Sequence, residues 1–186
     1  MDPATQRLLD ARRHPGRRAV MHQRWDDLGF FHWRVDPAEV QRRLPRGLTV
    51  DCFGDATYLG VVGFQMNAVR PAYLPPLPWL SYFNELNVRV YARDGSGEPG
   101  VVFLSLDCDR WPAVEIARSR FALNYQHATM RHSAAAGTHT LDCRRRGEME
   151  NAHLAWRPMG TPTATAPGTL EFFLAERYNF FTSKDG

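Results

Sequence analysis

The sequence is short of lysine and has no paired cysteines. Lys184 is the only lysine, so the formal net charge of +3 over 186 residues comes almost entirely from arginine. We expect no nucleic-acid partner, because no aromatic residues interleave with the N-terminal arginines as a single-strand platform requires. The three cysteines, Cys52, Cys108 and Cys143, are odd in number and widely spaced. They exclude a paired disulfide framework and favour a reducing, cytoplasmic compartment.

The chain also lacks long hydrophobic runs and common cofactor motifs. No run approaches the length of about 18 apolar residues that spans a bilayer. The first 20 residues are too charged to contain the apolar core of a signal peptide. We therefore expect a soluble, cytoplasmic protein with no membrane partner. Nothing resembles a phosphate loop, a serine nucleophile elbow or a dinucleotide fingerprint, so no cofactor is expected.

The residues that are present suffice for a single domain. Hydrophobic residues make up 44% of the chain, enough for a core. The segment from Pro3 to Arg13 can form a short charged helix, but "RRHPGRR" breaks it. Residues 1–20 are therefore predicted to be a flexible, loosely attached arm, and residues 21–186 a single domain.

The first part of the domain carries strand and helix signals. "MHQRWDDLGFFHWRV" suits a buried strand, and "DPAEVQRRLP" suits a short helix. Asp36 can cap that helix, Pro37 fits its first turn and Glu39 completes a capping box. "LTVDCF" and "ATYLGVVGFQM" predict a hairpin around a "GD" turn. The proline-rich "RPAYLPPLPW" predicts a loop that covers another part of the molecule.

A strongly alternating strand occupies the middle of the sequence. In "FNELNVRVYARDG" one side is apolar, and the other side consists of Glu85, Asn87, Arg89 and Tyr91. A hairpin with "GVVFLSLDCD" that closes around Gly97 would place Glu85 opposite Asp109 and Asn87 opposite Asp107. Polar residues would then face polar residues along both strands, and a slip of one residue would destroy the match.

The remaining segments complete an α+β pattern. "WPAVEIARSRFAL" has helical spacing, while "HATMRH", "THTLDCRRR" and "NAHLAWRP" predict three strands, the first two joined by "SAAAG". "PGTLEFFLAERYNFF" predicts a last short helix and a strand from about Tyr178. A βαβ pattern is absent. These elements predict a mostly antiparallel, curved sheet closing into a barrel, with a few short helices.

Six blocks of the sequence carry a family resemblance. "FFHWRV", "LPRGLTVD", "FNELNVRVYARD", "GVVFLSLDCD", "ARSRFALNY" and "LAERYNFFT" together resemble the YqjF-like family of uncharacterised bacterial proteins over nearly all of residues 21–186. That family is grouped with acetoacetate decarboxylase, which implies a barrel-like cone around an interior pocket and assembly into a homo-oligomer. Family members usually continue past the position of Gly186, so the resemblance implies that a C-terminal strand is missing here.

The decarboxylase resemblance departs from this sequence at the nucleophile. Decarboxylases have a Gly-Arg-Glu segment and then Gly-Phe-Pro-Lys-Lys, whose first lysine forms a Schiff base. Against "ARSRFALNYQH", Arg118 matches the arginine, Ser119 replaces the glutamate, and Tyr125 and Gln126 stand in place of the lysines. Tyrosine cannot form an imine, so no Schiff-base mechanism is expected. Glu85 matches a glutamate that decarboxylases place on a strand facing their cavity.

Two interpretations of the polar side remain open. By alternation alone it is a solvated face whose surface ion pairs are worth about 0–1 kcal/mol each. With the resemblance it becomes a pocket lining formed by Glu85, Asn87 and Arg89. A ligand carboxylate would then bind Arg89 or Arg118 as a planar fork.

The candidate acids and bases also have two interpretations each. His32 is either a general acid or base near neutral pH or a structural histidine. Tyr125 is either the acid partner of Glu85 or a side chain that fills the lysine's volume and hydrogen-bonds Glu85 or Arg118. The function that follows is small-molecule binding by a pocket for a carboxylate- or carbonyl-bearing ligand. The alternatives are a lysine-independent lyase or hydrolase using Glu85 with Tyr125 or His32, and an interaction scaffold.

The other histidines and arginines give weaker signals. A pair of histidines lies five residues apart, His127 and His132, but no arrangement resembles a metal-binding helix, and no metal site is expected. In "CRRRGEMEN", Arg145 would face opposite to its two neighbours if the segment is extended.

Overall fold

The structure is a computed structural model that describes residues 3–13, 18–115 and 124–182. Within these ranges there are nine strands: β1 Met21–Val35, β2 Thr49–Val50, β3 Thr57–Pro71, β4 Phe83–Arg93, β5 Pro99–Cys108, β6 Tyr125–Ala135, β7 Thr138–Arg145, β8 Ala152–Trp156 and β9 Phe180–Phe181. Within the same ranges the helices are α1 Pro3–Arg12, α2 Pro37–Gln41, α3 at residues 111–115, and α4 Leu170–Ala175.

All nine strands form one sheet, in the order β1-β3-β4-β5-β6-β7-β8, with β2 beside β4 and β9 beside β5. Every pair is antiparallel except β5 with β6 and β5 with β9. The parallel β5–β6 pair, connected through α3, corrects the expectation that no βαβ pattern occurs. The predicted α+β class with a mostly antiparallel, curved sheet is confirmed.

The predicted hairpin of β2 with β3 is wrong. The "GD" turn closes only a single bridge between Phe53 and Ala56. Val50 pairs instead with Ala92 of β4, more than forty residues along the chain. The local turn is present, but β2 and β3 do not pair beyond it, because β2 pairs with β4 instead.

The sheet curls far enough for side chains of β1 and β8, at the two ends of its strand order, to come into contact. The ring of Trp156 on β8 contacts Phe31 edge-on, with centroids 6.1 Å apart. A Cβ at Gly29 would lie 2.7 Å from Trp156, so glycine allows this close approach. Leu86, Leu141 and other apolar side chains fill the inside of the curl. The sheet is therefore a half-barrel with an apolar interior cluster.

The first strand is correctly placed by the sequence, but its predicted burial is wrong. Trp25, Phe30 and Trp33 are 44%, 44% and 51% exposed. β1 is the edge of the sheet and has β3 as its sheet neighbour. Its aromatic side chains consequently have one covered flank and one flank facing solvent.

The predicted register of the β4–β5 hairpin is also wrong. Glu85 pairs with Cys108 and Arg89 pairs with Phe103, which leaves Leu104 as an extra residue in β5. This bulge reverses the alternation of β5 halfway along its length. The turn closes earlier than expected because the carboxylate of Asp94 accepts hydrogen bonds from the backbone N–H groups of residues 96 and 98.

The helices follow local capping signals. The Asp36 carboxylate accepts a hydrogen bond from the Ala38 amide at the start of α2, as predicted. The helix α1 buries Ala4 and Leu8, and Arg12 forms an ion pair with Glu176. These contacts hold α1 against the domain, where the sequence predicts a loosely attached arm. No helix in the described ranges has the length and apolar character to cross a membrane.

Candidate functional site

Strand β4 is buried on both faces. Leu86 and Val90, on its apolar face, are 5% and 1% exposed. Glu85, Asn87 and Arg89, which we call the polar row, are 3%, 4% and 7% exposed. The sequence predicts that this side faces an interior pocket. In the structure it lies on the face opposite to the apolar inside of the curl, under α4 and the start of β6.

Glu85 forms the first functional group of the polar row. Its carboxylate accepts a hydrogen bond from the Tyr125 hydroxyl at 2.9 Å. Burial raises the pKa of Glu85 from 4.5 to about 7, while hydrogen bonds from Tyr125 and Asn87 oppose that rise. Burial and the neighbouring Glu85 raise the pKa of Tyr125, so its hydroxyl remains protonated. The pair therefore combines a carboxyl group that titrates near neutral pH with a fixed proton donor.

Arg89 forms the second group, at the C-terminal end of α4. Thr169 caps the start of this helix by accepting a hydrogen bond from the Phe172 amide. The last carbonyls of a helix have no intrahelical partner. The Leu174 carbonyl accepts hydrogen bonds from the Arg89 guanidinium and the Tyr91 hydroxyl, both at 3.0 Å. The helix end thus fixes the position of the arginine.

His32 belongs to this second group rather than to the Glu85 pair. Its Nε2 lies 2.8 Å from the Tyr91 hydroxyl. Because that hydroxyl donates its one proton to the Leu174 carbonyl, the His32 Nε2–H donates to Tyr91. Burial and the Arg89 charge lower the pKa of His32 to about 4, so the ring is neutral at physiological pH. A Cβ at Gly60 would approach His32 and Arg89 to 3.2 and 3.3 Å, so glycine makes room for both.

Two buried polar atoms of the polar row have no hydrogen-bond partner: Arg89 Nε and Asn87 Oδ1. Among the residues that the structure describes, no carboxylate lies within ion-pair distance of Arg89. Buried polar groups in native proteins are nearly always hydrogen-bonded, and leaving one unpaired costs about 1–3 kcal/mol. The polar row therefore has one donor and one acceptor available.

A neighbouring arginine shows the usual arrangement for a buried cation. The Arg177 side chain is 3% exposed and lies 3.0 Å from the Asp51 carboxylate, which also binds Arg93 at 2.7 Å. Burial lowers the pKa of Arg177 to about 10, and the charge of Asp51 opposes that change. Arg177 therefore has a carboxylate within ion-pair distance, unlike Arg89, although the Nε atoms of both arginines are unpartnered. The sequence did not single out Asp51, because its partner lies 126 residues away.

The remaining predicted arginines fall elsewhere. Arg118 lies outside the described residues. Arg145 points inward, as alternation predicts, and binds Asp107 through two hydrogen bonds of 2.8 and 3.0 Å. This pair, in which Asp107 is buried and Arg145 is half-buried, lies on the face of Leu86, opposite to the polar row. Arg144 and Arg146 are exposed.

A second cluster, which the sequence analysis missed, consists of Asp27, His132 and His139. Its donor atoms all lie within 4.8 Å of one another, so these are the described residues that could hold a metal ion. The sequence signal for this cluster was the predicted hairpin around "SAAAG". Its register pairs His132 with Leu141 and Ala134 with His139, which puts both histidines on one face of the hairpin. Asp27 comes from β1, and no local pattern connects it to them.

Comparison with known proteins agrees with this architecture. Residues 22–186 match the DUF2071 family, described as an uncharacterized conserved protein. The chain is 33% identical over 165 residues to the uncharacterized protein YqjF of Bacillus subtilis (strain 168), covering 88% of this chain and 68% of that protein.

Solved structures show the same fold at low sequence identity. An acetoacetate decarboxylase-like enzyme from Sphingomonas wittichii RW1 is 17% identical, with a TM-score of 0.52 over 69% of this chain and 54% of that chain. A structure of acetoacetate decarboxylase is 13% identical, with a TM-score of 0.51 over 70% and 48%. The chain thus spans about half the length of these structures. It belongs to the DUF2071 family, and its fold is that of the acetoacetate decarboxylase-like proteins.

Proposed function

We propose that this protein binds a small molecule that bears a carboxylate, and that Arg89 holds the carboxylate. The observation that carries the proposal is the buried Arg89 guanidinium, which is 7% exposed and has an unpartnered Nε. An uncompensated buried cation is costly, and a ligand anion relieves that cost. Arginine also matches the planar geometry of a carboxylate.

The rest of the polar row supports a ligand with a second polar group. Asn87 offers an unpartnered acceptor one position along the same face, and Glu85 follows beyond it. Glu85 and Arg89 lie about 13 Å apart along the strand, so acids as short as pyruvate probe the Arg89 end of the row. A carbonyl, enol or hydroxyl group near Glu85 and Tyr125 would complete the ligand.

Imine chemistry does not form part of this proposal. The resemblance aligns Tyr125 with the Schiff-base lysine of decarboxylases, and the sequence has no other lysine than Lys184. The Tyr125 hydroxyl instead donates a hydrogen bond to Glu85. The proposed site therefore binds its ligand through hydrogen bonds and charge rather than through a covalent amine.

A second candidate function is general acid–base catalysis by the same site. The pKa of Glu85, raised to about 7, favours this candidate because proton transfer is most effective near the operating pH. Glu85 would act as the base and Tyr125 as the acid in an enolisation, dehydration or hydrolysis. His32 is the weaker acid candidate, since its ring is neutral and hydrogen-bonds Tyr91.

We further propose that the protein acts in the cytoplasm and self-associates. All three cysteines are free thiols, which suits a reducing compartment. The edge strand β1 exposes Trp25 and Trp33, and an edge strand with exposed apolar residues favours pairing with a second copy. Sedimentation velocity over a range of protein concentrations tests the second point, and a concentration-independent monomer contradicts it.

Binding is tested by thermal denaturation and calorimetry with acetate, pyruvate, acetoacetate and succinate. At least one acid should raise the melting temperature in a concentration-dependent manner, whereas methyl pyruvate and methyl acetoacetate should not. Arg89→Gln should abolish the shift, and Arg34→Gln, at an exposed arginine, should retain it. If no acid stabilises the protein, or if Arg89→Gln binds as the wild type does, the proposed function is wrong.

The two candidates are separated by turnover. Any acid that binds is incubated with the wild type and with Glu85→Gln, and products are followed by NMR. Turnover by the wild type that is lost in Glu85→Gln, with binding retained, supports the enzyme. Binding without turnover in either protein supports a binding function alone.

A further inference from the structure

Three strands bring a cluster of ligand-type side chains together inside the curl. His132 and His139 lie on the β6–β7 hairpin, and Asp27 lies opposite them at the register irregularity of β1. Trp156 stacks on His139, with centroids 5.7 Å apart and planes at 16°, and also packs against His132. The two imidazoles are therefore held in place by an aromatic wall.

The nitrogen atoms that face Asp27 are buried and unpartnered. His132 Nε2 and His139 Nδ1 have no hydrogen-bond partner. They lie 3.8 and 3.6 Å from Asp27 Oδ2, beyond hydrogen-bond distance. The His132 side chain is only 7% exposed. A direct hydrogen bond would bring these atoms to about 2.7–3.2 Å, so they surround a common point without satisfying one another.

The separations suit ligands that share one ion. With metal–ligand distances of about 2.0–2.2 Å, two ligand atoms of a tetrahedral site lie about 3.3–3.6 Å apart. The observed distances from the Asp27 oxygen to the two histidine nitrogens, 3.6 and 3.8 Å, are close to that separation. Two imidazole nitrogens suit zinc and its neighbours in the first transition series, whereas calcium and magnesium prefer oxygen ligands.

We propose that Asp27, His132 and His139 bind a divalent transition-metal ion of the zinc type. Two nitrogens and one carboxylate leave a fourth position for water or another ligand, as in catalytic rather than structural zinc sites. The site is separate from the polar row. A Cβ at Gly29 would meet Trp156, and a Cβ at its pairing partner Gly63 would meet Leu141, so the cluster lies on that face of the sheet. A Cβ at Gly60, three positions from Gly63 and therefore on the other face, would meet Arg89. The metal site therefore does not depend on the proposed carboxylate binding.

Isothermal titration of the metal-free, untagged full chain with Zn²⁺ tests the proposal. The wild type should bind Zn²⁺ saturably, with one ion per chain. Asp27→Asn and His139→Gln should each weaken binding by at least roughly tenfold. Asparagine suits position 27, where φ is 53° and few other residues are tolerated. Co²⁺ should produce a visible absorption band in the wild type that both variants lose.

His153→Gln is the matched control. His153 lies 2.7 Å from Asp142 in an exposed histidine–carboxylate pair that has no third ligand among the residues described. This variant should bind Zn²⁺ as the wild type does. The proposal is overturned if the wild type shows no saturable binding, if Asp27→Asn and His139→Gln retain it, or if His153→Gln loses it. Should His139→Gln fail to fold in chelator, Asp27→Asn alone decides the outcome.

Discussion

Replacing Glu85 by glutamine should make the protein more stable at alkaline pH. Burial raises the pKa of Glu85 from 4.5 to about 7, so between these values the folded state binds more protons than the unfolded state. By linkage, the wild type loses stability as the pH rises through this window. At about 1.4 kcal/mol per pKa unit, the full effect is roughly 3 kcal/mol. Glutamine imitates the protonated acid and lacks this loss.

Urea denaturation of the wild type and Glu85→Gln at pH 5 and pH 8 measures the effect. The variant's advantage in free energy of unfolding should be roughly 2–3 kcal/mol larger at pH 8 than at pH 5. Other titrating groups cancel in this comparison because both proteins contain them. Glu150→Gln, at an exposed carboxylate, is the matched control. An advantage that is the same at both pH values would refute the argument that a charge at Glu85 is poorly solvated.

Four further predictions concern neighbouring parts of the molecule. Tyr125→Phe removes a hydrogen bond to Glu85 and should raise the pKa of the Glu85 carboxyl group above about 7. For a bond worth about 1.5 kcal/mol the rise is roughly one pKa unit. Carbon NMR of the carboxyl group would show the change, and an unaltered titration argues against the bond. The His32 imidazole should titrate near pH 4, and a midpoint near its ordinary 6.5 in proton NMR contradicts its burial beside a cation. Asp51→Asn leaves its arginine partners uncompensated and should cost roughly 3–5 kcal/mol in urea denaturation, whereas a cost below about 1 kcal/mol would show that the pair is dispensable. Gly63→Ala places a Cβ 2.7 Å from a leucine of β7 and should cost about 1–3 kcal/mol, and a neutral result would mean that the curl can widen.

Local patterns predicted the strands but not all of their partners. The β6–β7 hairpin was predictable because a turn at Ala136 and Gly137 joins two alternating runs. The pairing of Val50 with Ala92 was not, since nothing near either residue specifies a partner so far away. The extra residue Leu104 was equally hidden, because a bulge changes register without changing composition.

The candidate site was predictable where side chains carry the signal. The family blocks and the strand alternation together placed Glu85 and Tyr125 near each other, and the structure joins them by a hydrogen bond. The Leu174 carbonyl, which holds Arg89, could not be predicted because every residue has the same backbone group. Sequence also could not show that both faces of β4 are buried, since that depends on which helix covers the sheet.

The central claim is that the polar row binds a ligand carboxylate through Arg89. A crystal structure of the protein grown with pyruvate tests this claim most directly. We predict density for the acid carboxylate within hydrogen-bond distance of the Arg89 guanidinium, at its unpartnered Nε. A structure in which protein side chains fill all the space beside Arg89, with no bound acid, would contradict it.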